Sequence, residues 1–528
     1  MFNKNSRDYV RTFWPDGPDK THDMKGIRKY YDEYTSGEYG EVDDQTFSDL
    51  TLDTLFEEVD GTYSSAGEAK LYDMLRHPVR EQKKLDERSK IIEHFGENTN
   101  DRIDVQEIFY DLNKDKNFEF IDLLKGTFEG SKKKKQLFFV LGRILPIVFI
   151  LLSVVNFKFL FGLIAVVIVN SMIAMMERNS NDKKPFAGIY YSSKIMKAAQ
   201  RIKKLDIPVL SAYNERIDKA LNTIGNDQRK FKSVASGLIS DDIPDVLEPI
   251  IQIYATLVLQ MENAYFSMID NVEMYKGEIK DLYDIVGEID GLIAVAGYKE
   301  KSEYKVSKPT FVSDDNGLEI INGAHPLVEN VVKNSINISN KGIVLTGTNM
   351  SGKSTFLRMI GINIVLAQSF NFVHADKYKA PFLNVVSSIS PDDDINSGKS
   401  YYMAEAEAVL RILKALDGKV KVFCAIDEIF RGTNPVERIA ASEEILKYIQ
   451  KRNSISIVAT HDKELTDLLK ETHNFYHFSE RVSESSGLSF DYKLKSGILT
   501  TRNAIKLLKY IGYPDEIISG AYKSIGKK

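Results

Sequence analysis

Three short polar stretches, each closing an apolar run, carry the chemistry of this sequence. Ile343, Val344 and Leu345 lead into Gly347-Thr348-Asn349-Met350-Ser351-Gly352-Lys353-Ser354-Thr355, and a helical pattern begins at Phe356. Strand, glycine-bounded loop, Lys-Ser and helix are the pattern of a phosphate-binding P-loop in the context it needs. Glycines let backbone N–H groups converge on an anion, and the following helix adds its positive N-terminal end. Lys353 is placed to reach β- and γ-phosphates, and the Ser354 hydroxyl to ligate Mg²⁺.

Downstream, Val420 to Ile426 is a β-rich apolar run ending in Asp427-Glu428. Alone, such a pair reads as a solvated strand end. Behind a P-loop it reads as Asp427 holding Mg²⁺ and Glu428 polarising the attacking water. Ile455 to Thr460 is a further strand pattern, and His461 at its end is suited to sensing a γ-phosphate. The predicted catalytic residues are therefore Glu428, His461 and Lys353, with Ser354 and Asp427 on the metal.

Several of these segments resemble the MutS family of mismatch-repair ATPases. Thr346-Gly-Thr-Asn-Met-Ser-Gly-Lys-Ser-Thr355 is similar to that family's nucleotide loop, whose Asn-Met pair is unusual among P-loop proteins. Asp393-Asp-Ile-Asn-Ser-Gly398-Lys-Ser400-Tyr-Tyr-Met403-Ala-Glu405 resembles its signature segment. Asp427-Glu-Ile-Phe-Arg431-Gly432-Thr433-Asn434 resembles its acidic strand and loop, and Ala459-Thr-His461 its histidine switch. Ala324-His325-Pro326 through Asn334 and Gly497 through Pro514 look like the entry and the closing helices. The resemblance implies an ABC-type head that works as a homodimer, with ATP and Mg²⁺ between one P-loop and the partner's signature segment. It implies that Ser400 reaches the partner-bound γ-phosphate. It gives Val331 and Asn334 positions near the adenine. One departure stands out: Val373-His374-Ala375-Asp376 lacks the proline usual in the family, which unsettles a water-orienting role for Asp376.

The 528 residues allow about two to four domains, and 43% hydrophobic residues can fill sizeable cores. The formal charge of −5 gives no global attraction to nucleic acid. The single cysteine, Cys424, falls in the acidic strand and reads as a small buried side chain. Met1 to Asp16 is polar and charged and carries no secretory leader pattern.

The middle of the chain departs from an ordinary soluble pattern. After Lys132-Lys-Lys-Lys135, an apolar segment runs from Leu137 to Val155, interrupted by Arg143 and Pro146. Asn156-Phe157-Lys158 separates it from a second, Phe159 to Met176, which holds no charge. At about 1.5 Å per residue each matches the hydrocarbon core of a bilayer. Arg178, Lys183 and Lys184 follow the second segment, so the basic bias puts both large flanks in the cytoplasm. The alternative is a buried apolar hairpin or a dimerisation surface, for which Arg143 is the best argument.

The flanking sequence reads as helical. Val42 to Pro78, followed by Leu85 to Ile92, resembles the start of the family's core, and Ile285 to Ala296 has the spacing of a packed helix. The expected fold is an α/β P-loop (ABC-type) ATPase domain preceded by an all-α lever-like core with a transmembrane helical hairpin. The expected divisions are an extension (1–41), helical core (42–131), hairpin with basic flanks (132–184), second helical part (185–305) and ATPase domain (306–528). About forty residues precede the helical core, too few for the family's mismatch-reading domain. The Phe118-Glu119 and Phe128-Glu129 pairs read as ordinary helix residues rather than a DNA wedge. Three functions remain open: a membrane-anchored MutS-like ATPase, a DNA-binding repair clamp, and an ABC-like membrane ATPase with a protein partner.

Overall fold

The computed structural model describes residues 3–37, 40–115, 118–128, 130–178, 186–229, 231, 254–313, 317–348, 350–389, 401–430, 434–483, 487–498 and 504–526. The chain forms two compact units: residues 1–36, 59–73 and 90–301, and residues 37–58, 74–89 and 302–528.

The first unit is helical. Its 26-residue helix Lys276–Lys301 buries Ile279, Leu282, Tyr283, Val286, Ile289 and Ile293, the three- and four-residue spacing of an apolar stripe. Helices Phe186–Leu205 and Ser211–Ile224 pack on it. Gly287 permits the close approach of residue 66, since a Cβ there would sit 2.4 Å from the Ala66 carbonyl oxygen. The buried Asp290 carboxylate accepts from Ser64 N (2.9 Å), Ser64 Oγ (2.6 Å) and Tyr63 N (3.2 Å), fixing the chain just before helix Ser65–Arg76. Burial pushes its pKa up to about 6 against the pull of those donors.

Two antiparallel helical segments, Lys132–Val155 and Phe159–Arg178, form the apolar hairpin. A π-helical turn at Val140–Ile144 interrupts the first. Such a turn disturbs the backbone ladder, and the buried Asn170 amide meets it, donating to Leu141 O (3.0 Å) and Leu257 O (2.6 Å). Lys134 pairs with Glu177 at 2.6 Å and ties the basic ends together. Away from this base the helices are bare: Val154 and Val155 are 83% exposed and Phe161 69%. In their most apolar stretches only 11% and 17% is buried, so this is not the core hairpin of the alternative reading. Both helices are long and apolar enough to cross a membrane by length and composition. Phe118 adopts a left-handed φ of +53° at the start of helix Glu119–Lys125, and Glu129 lies outside the described residues.

The second unit is α/β with two mixed sheets. Strands β1 (Thr310–Phe311), β2 (Leu318–Gly323), β3 (Asn334–Ile338) and β5 (Lys377–Ala380) form one, ordered β1-β5-β2-β3. Its β1–β5 pair is parallel and the others antiparallel. The larger sheet contains β4 (Gly342–Thr346), β6 (Leu383–Ser388), β7 (Lys421–Asp427), β8 (Ser454–Ala459), β9 (His473–His477) and β12 (Lys495–Ser496). Its order is β12-β9-β4-β8-β7-β6, parallel throughout except for β12. A further hairpin pairs β10 (Glu480–Ser483) with β11 (Gly487–Phe490). Strands β4, β7 and β8 are near-continuous apolar runs because helices cover both faces of a parallel sheet. Val344, Val422, Cys424, Ile426 and Val458 meet Ile412, Leu446 and Ile449 from the covering helices in one core. Segment 37–58 locks onto the end of β6: the buried Asp49 carboxylate accepts from Ser387 Oγ (2.8 Å) and Ile389 N (2.9 Å).

Candidate functional site

The polar residues that close β4, β7 and β8 converge at the carboxyl edge of the larger sheet, where open α/β sheets place their ligands. The fully buried β4 feeds a loop whose backbone turns left-handed repeatedly, with Gly347 at φ +150°, Met350 at +66° and Gly352 at +106°. Gly347 can be nothing larger: a Cβ would lie 2.8 Å from Ser351 Oγ and 2.9 Å from the Phe478 carbonyl oxygen. Thr348 Oγ1 braces the loop by donating to Glu480 Oε2 at 2.8 Å. The helix then begins at Lys353, a turn earlier than the apolar pattern from Phe356 suggests. The polar Lys-Ser-Thr of its first turn hides that start from periodicity.

Lys353 is buried, and its ammonium donates to Gly347 O (3.0 Å) and Thr348 O (3.1 Å). Ser354 Oγ donates to Asp427 Oδ2, bringing hydroxyl and carboxylate together at the helix start. Past Asp427 the chain turns sharply: Glu428 has φ +65° and Phe430 φ +60°. Left-handed non-glycine residues typically store about 1–3 kcal/mol each and cluster at functional sites. The turn is held because Glu428 N donates to Ala459 O at 2.9 Å, extending the β7–β8 pairing. The Glu428 side chain is aimed at His461, with Oε1 3.1 Å from Nε2. Lys353 Nζ lies 3.3 Å from the same nitrogen. One ring nitrogen cannot donate to the carboxylate and accept from the ammonium at once. With Nε2 protonated, the ring donates to Glu428, and the Lys353 ammonium keeps the Gly347 and Thr348 carbonyls as its acceptors.

These groups line a cavity of about 900 Å³ that also takes in Val331, Asn334, Arg358 and Tyr492. Asn334 Nδ2 donates to Tyr492 O (3.0 Å), and Asn334 Oδ1 accepts from Leu494 N (2.8 Å). His325, also in the wall, is held neutral because burial and Arg358 push its pKa down to about 4. The structure thus brings together Gly347, Thr348, Met350, Ser351, Gly352, Lys353, Ser354, Thr355, Asp427, Glu428 and His461. Asn349, Ser400 and the rest of 390–400, and Arg431-Gly432-Thr433 lie outside the described residues. Asp376 is elsewhere: it pairs with Lys305 (3.1 Å) and accepts from Asn322 (2.7 Å), and it takes no part in the cavity wall. Arg358, Phe478 and Tyr492 were not legible as site residues, because only the folded chain carries them to the loop.

Among described residues no cluster of three or more His, Cys, Asp or Glu side chains could hold a metal by itself. A hard cation here would draw on Ser354 and Asp427, and on oxygens of whatever anion occupies the loop.

Residues 343–527 match the family described as MutS domain V. The chain is 32% identical over 263 residues to the DNA mismatch repair protein MutS of Fusobacterium nucleatum, covering 48% of this chain and 29% of the relative. It is 32% identical over 274 residues to that of Thermotoga maritima, covering 50% and 34%. The protein of the same name from Staphylococcus epidermidis is 29% identical over 309 residues, covering 56% and 35%. The chain therefore spans about a third of the length of the curated relatives it matches. The strand ends that carry the site lie within this match, so the likeness to MutS domain V holds for residues 343–527, the part of the chain that builds the cavity edge.

Proposed function

We propose that the α/β unit is a P-loop ATPase head, that two such heads close on ATP as a homodimer, and that the apolar hairpin anchors the chain in a membrane. The observation that carries the hydrolytic reading is the convergence of Lys353, Ser354, Asp427, Glu428 and His461 on one cavity edge. The donor set fits a magnesium triphosphate. Loop N–H groups and the start of helix Lys353–Phe370 bind phosphate oxygens, and Lys353 exchanges its carbonyl partners for the β- and γ-phosphates. Ser354 and Asp427 supply hard oxygen ligands. Mg²⁺, when bound there, neutralises charge on the β- and γ-oxygens. Glu428 orients and deprotonates the attacking water, and His461, bonded to Glu428, holds that carboxylate and reports on the γ-phosphate. Ser400, on the signature segment, completes the site of the partner subunit.

The membrane reading rests on the bare apolar helices and on their length. At about 1.5 Å per residue, 24 and 19 residues each reach across a hydrocarbon core. The basic run Lys132–Lys135 then sits on the cytoplasmic side together with both large flanks. Closure of the heads would act on the helical unit that carries the anchor.

A second reading, action on DNA in repair or recombination, is favoured by the name of the relatives, DNA mismatch repair protein MutS. Duplex, mismatched and branched DNA titrated against the detergent-solubilised protein in ATP and ADP separates the two. Nucleotide-dependent preference for one DNA structure supports the second reading; ATPase activity with only salt-labile DNA binding supports the first. For the head, Mg²⁺-dependent ATP binding lost in Lys353→Ala, and a stable ATP-bound dimer in Glu428→Gln, are the expected outcomes. A Glu428→Gln protein that stays monomeric in ATP would count against closure.

A further inference from the structure

A second concavity, of about 380 Å³, lies at the other end of the larger sheet, where β4, β7 and β8 begin. Four of its lining residues are cations, Lys341, Lys421, Lys451 and Arg452, and none is acidic. In a chain whose formal charge is −5, that segregation of sign is unusual. We propose that this concavity is an anion site that takes a compact phosphate-bearing small molecule.

Lys451 and Arg452 alone have a plainer explanation. They follow helix Pro435–Gln450, whose C-terminal end favours positive charge. That does not account for Lys341, just before β4, or for Lys421, the first residue of β7. Nor does it account for Ser456, a 1% exposed residue on β8 that lines the concavity with a hydroxyl lacking any hydrogen-bond partner. A buried hydroxyl without a partner is costly, and an anion oxygen would satisfy it. Beside it, His473 Nε2 is buried and equally without a partner. Gly342 makes the room between them, since a Cβ there would be 2.6 Å from both Ser456 Oγ and His473 Nε2.

The cations are arranged for a convergent ligand. Arg452 Nη2 donates to Tyr448 OH (2.7 Å) and its guanidinium lies 4.7 Å from that ring's centre, which holds the planar fork in place. Lys341 Nζ makes only a long contact, 3.5 Å, with Lys470 O. Asn340, Gln450 and Asn453 add neutral polar groups around the rim. Duplex nucleic acid needs cations strung along a backbone, whereas here they surround one hollow, so a single phosphate or diphosphate group is the better fit.

The test uses the full-length protein in detergent, with Lys353→Ala in the background so that the nucleotide loop does not compete. Inorganic phosphate and pyrophosphate are titrated by calorimetry and ³¹P line broadening. Phosphatidylcholine vesicles with and without phosphatidic acid test a lipid headgroup as the source of the same chemistry. Saturable pyrophosphate binding, weakened by about tenfold or more in Lys341→Glu/Lys421→Glu and severalfold in Ser456→Ala, is expected. Should the double charge reversal fail to fold, Lys341→Gln and Ser456→Ala carry the comparison. Binding that does not saturate, or that is unchanged in these variants, overturns the proposal. So does vesicle or duplex-DNA binding that depends on these cations without any pyrophosphate binding.

Discussion

Asp49 offers the sharpest quantitative test of how the α/β unit is held together. Its carboxylate, 1% exposed, accepts from Ser387 Oγ, Ile389 N and Gln45 Nε2 at 2.8, 2.9 and 3.0 Å. In Asp49→Ala, the buried Ile389 N–H and Ser387 hydroxyl lose a charged acceptor. Hydrogen bonds to a charged group contribute roughly 1.5–3 kcal/mol each, and the hydroxyl can rotate to another partner, so the loss should be about 3–4 kcal/mol. For a unit of this size that lowers the melting temperature by roughly 6–14 °C. Asp49→Asn keeps one carbonyl oxygen for Ile389 N and should cost only about 1–2 kcal/mol. Arg358 Nε donates to the Asp49 backbone carbonyl (2.7 Å), a bond that alanine retains, so the cavity wall on that side stays in place. Thermal unfolding followed by circular dichroism reads all three proteins. An alanine shift of less than about 3 °C, or an asparagine variant as damaged as alanine, would refute the idea that this carboxylate clamps the end of β6.

Other perturbations follow from the same geometry. Gly347→Ala should abolish ATP binding while the protein still folds, because its Cβ collides with Ser351 Oγ and the Phe478 carbonyl; fluorescent nucleotide titration checks this. Asp115 is buried in the helical unit, with Oδ2 accepting from Phe120 N (2.8 Å), and burial pushes its pKa up to about 7. A carboxyl whose folded pKa lies above the unfolded one binds more protons when folded, so stability falls as pH rises from about 4 through 7. Asp115 should contribute a loss of about 2–3 kcal/mol between pH 5 and pH 8 that Asp115→Asn removes, leaving the smaller loss of about 1 kcal/mol from Asp290, as denaturant melts of both proteins at the two pH values would show. In the hairpin, Ile150 and Ile168 are 50% and 54% exposed. Each arginine placed there costs roughly 2.5–3.5 kcal/mol of insertion, so Ile150→Arg/Ile168→Arg should move the protein out of the carbonate-resistant membrane fraction. Retention of the double variant in that fraction would argue against a spanning hairpin.

The sequence made the site's chemistry legible because strand, loop and helix there are contiguous. Gly347 to Thr355, Asp427-Glu428 and His461 are each announced by the apolar run before them, and parallel strands bring run ends to one edge. What local pattern does not disclose is which core a segment joins. The short helix Asp44–Asp49 looks like any helix start, yet it ends on Asp49, whose partners Ser387 and Ile389 lie more than three hundred residues on. Tyr492 and Arg358 reach the cavity through tertiary folding and have no motif around them. The apolar hairpin was plain from composition, but its base was not. Asn170 in an apolar run carries no local signal; its amide is needed for two carbonyls, Leu141 O in the π-helical turn and Leu257 O far along the chain.

ATP hydrolysis by this chain should depend on Lys353, Asp427 and Glu428. Single-turnover hydrolysis of ATP by the purified full-length protein, compared with Glu428→Gln at matched ATP occupancy, tests it most directly. Mg²⁺-dependent turnover is expected in the wild type, and in the variant unchanged ATP binding with hydrolysis slowed about 10²–10⁴-fold. Equal turnover in both proteins, or none in the wild type with ATP fully bound, would contradict the assignment of Glu428 as the base.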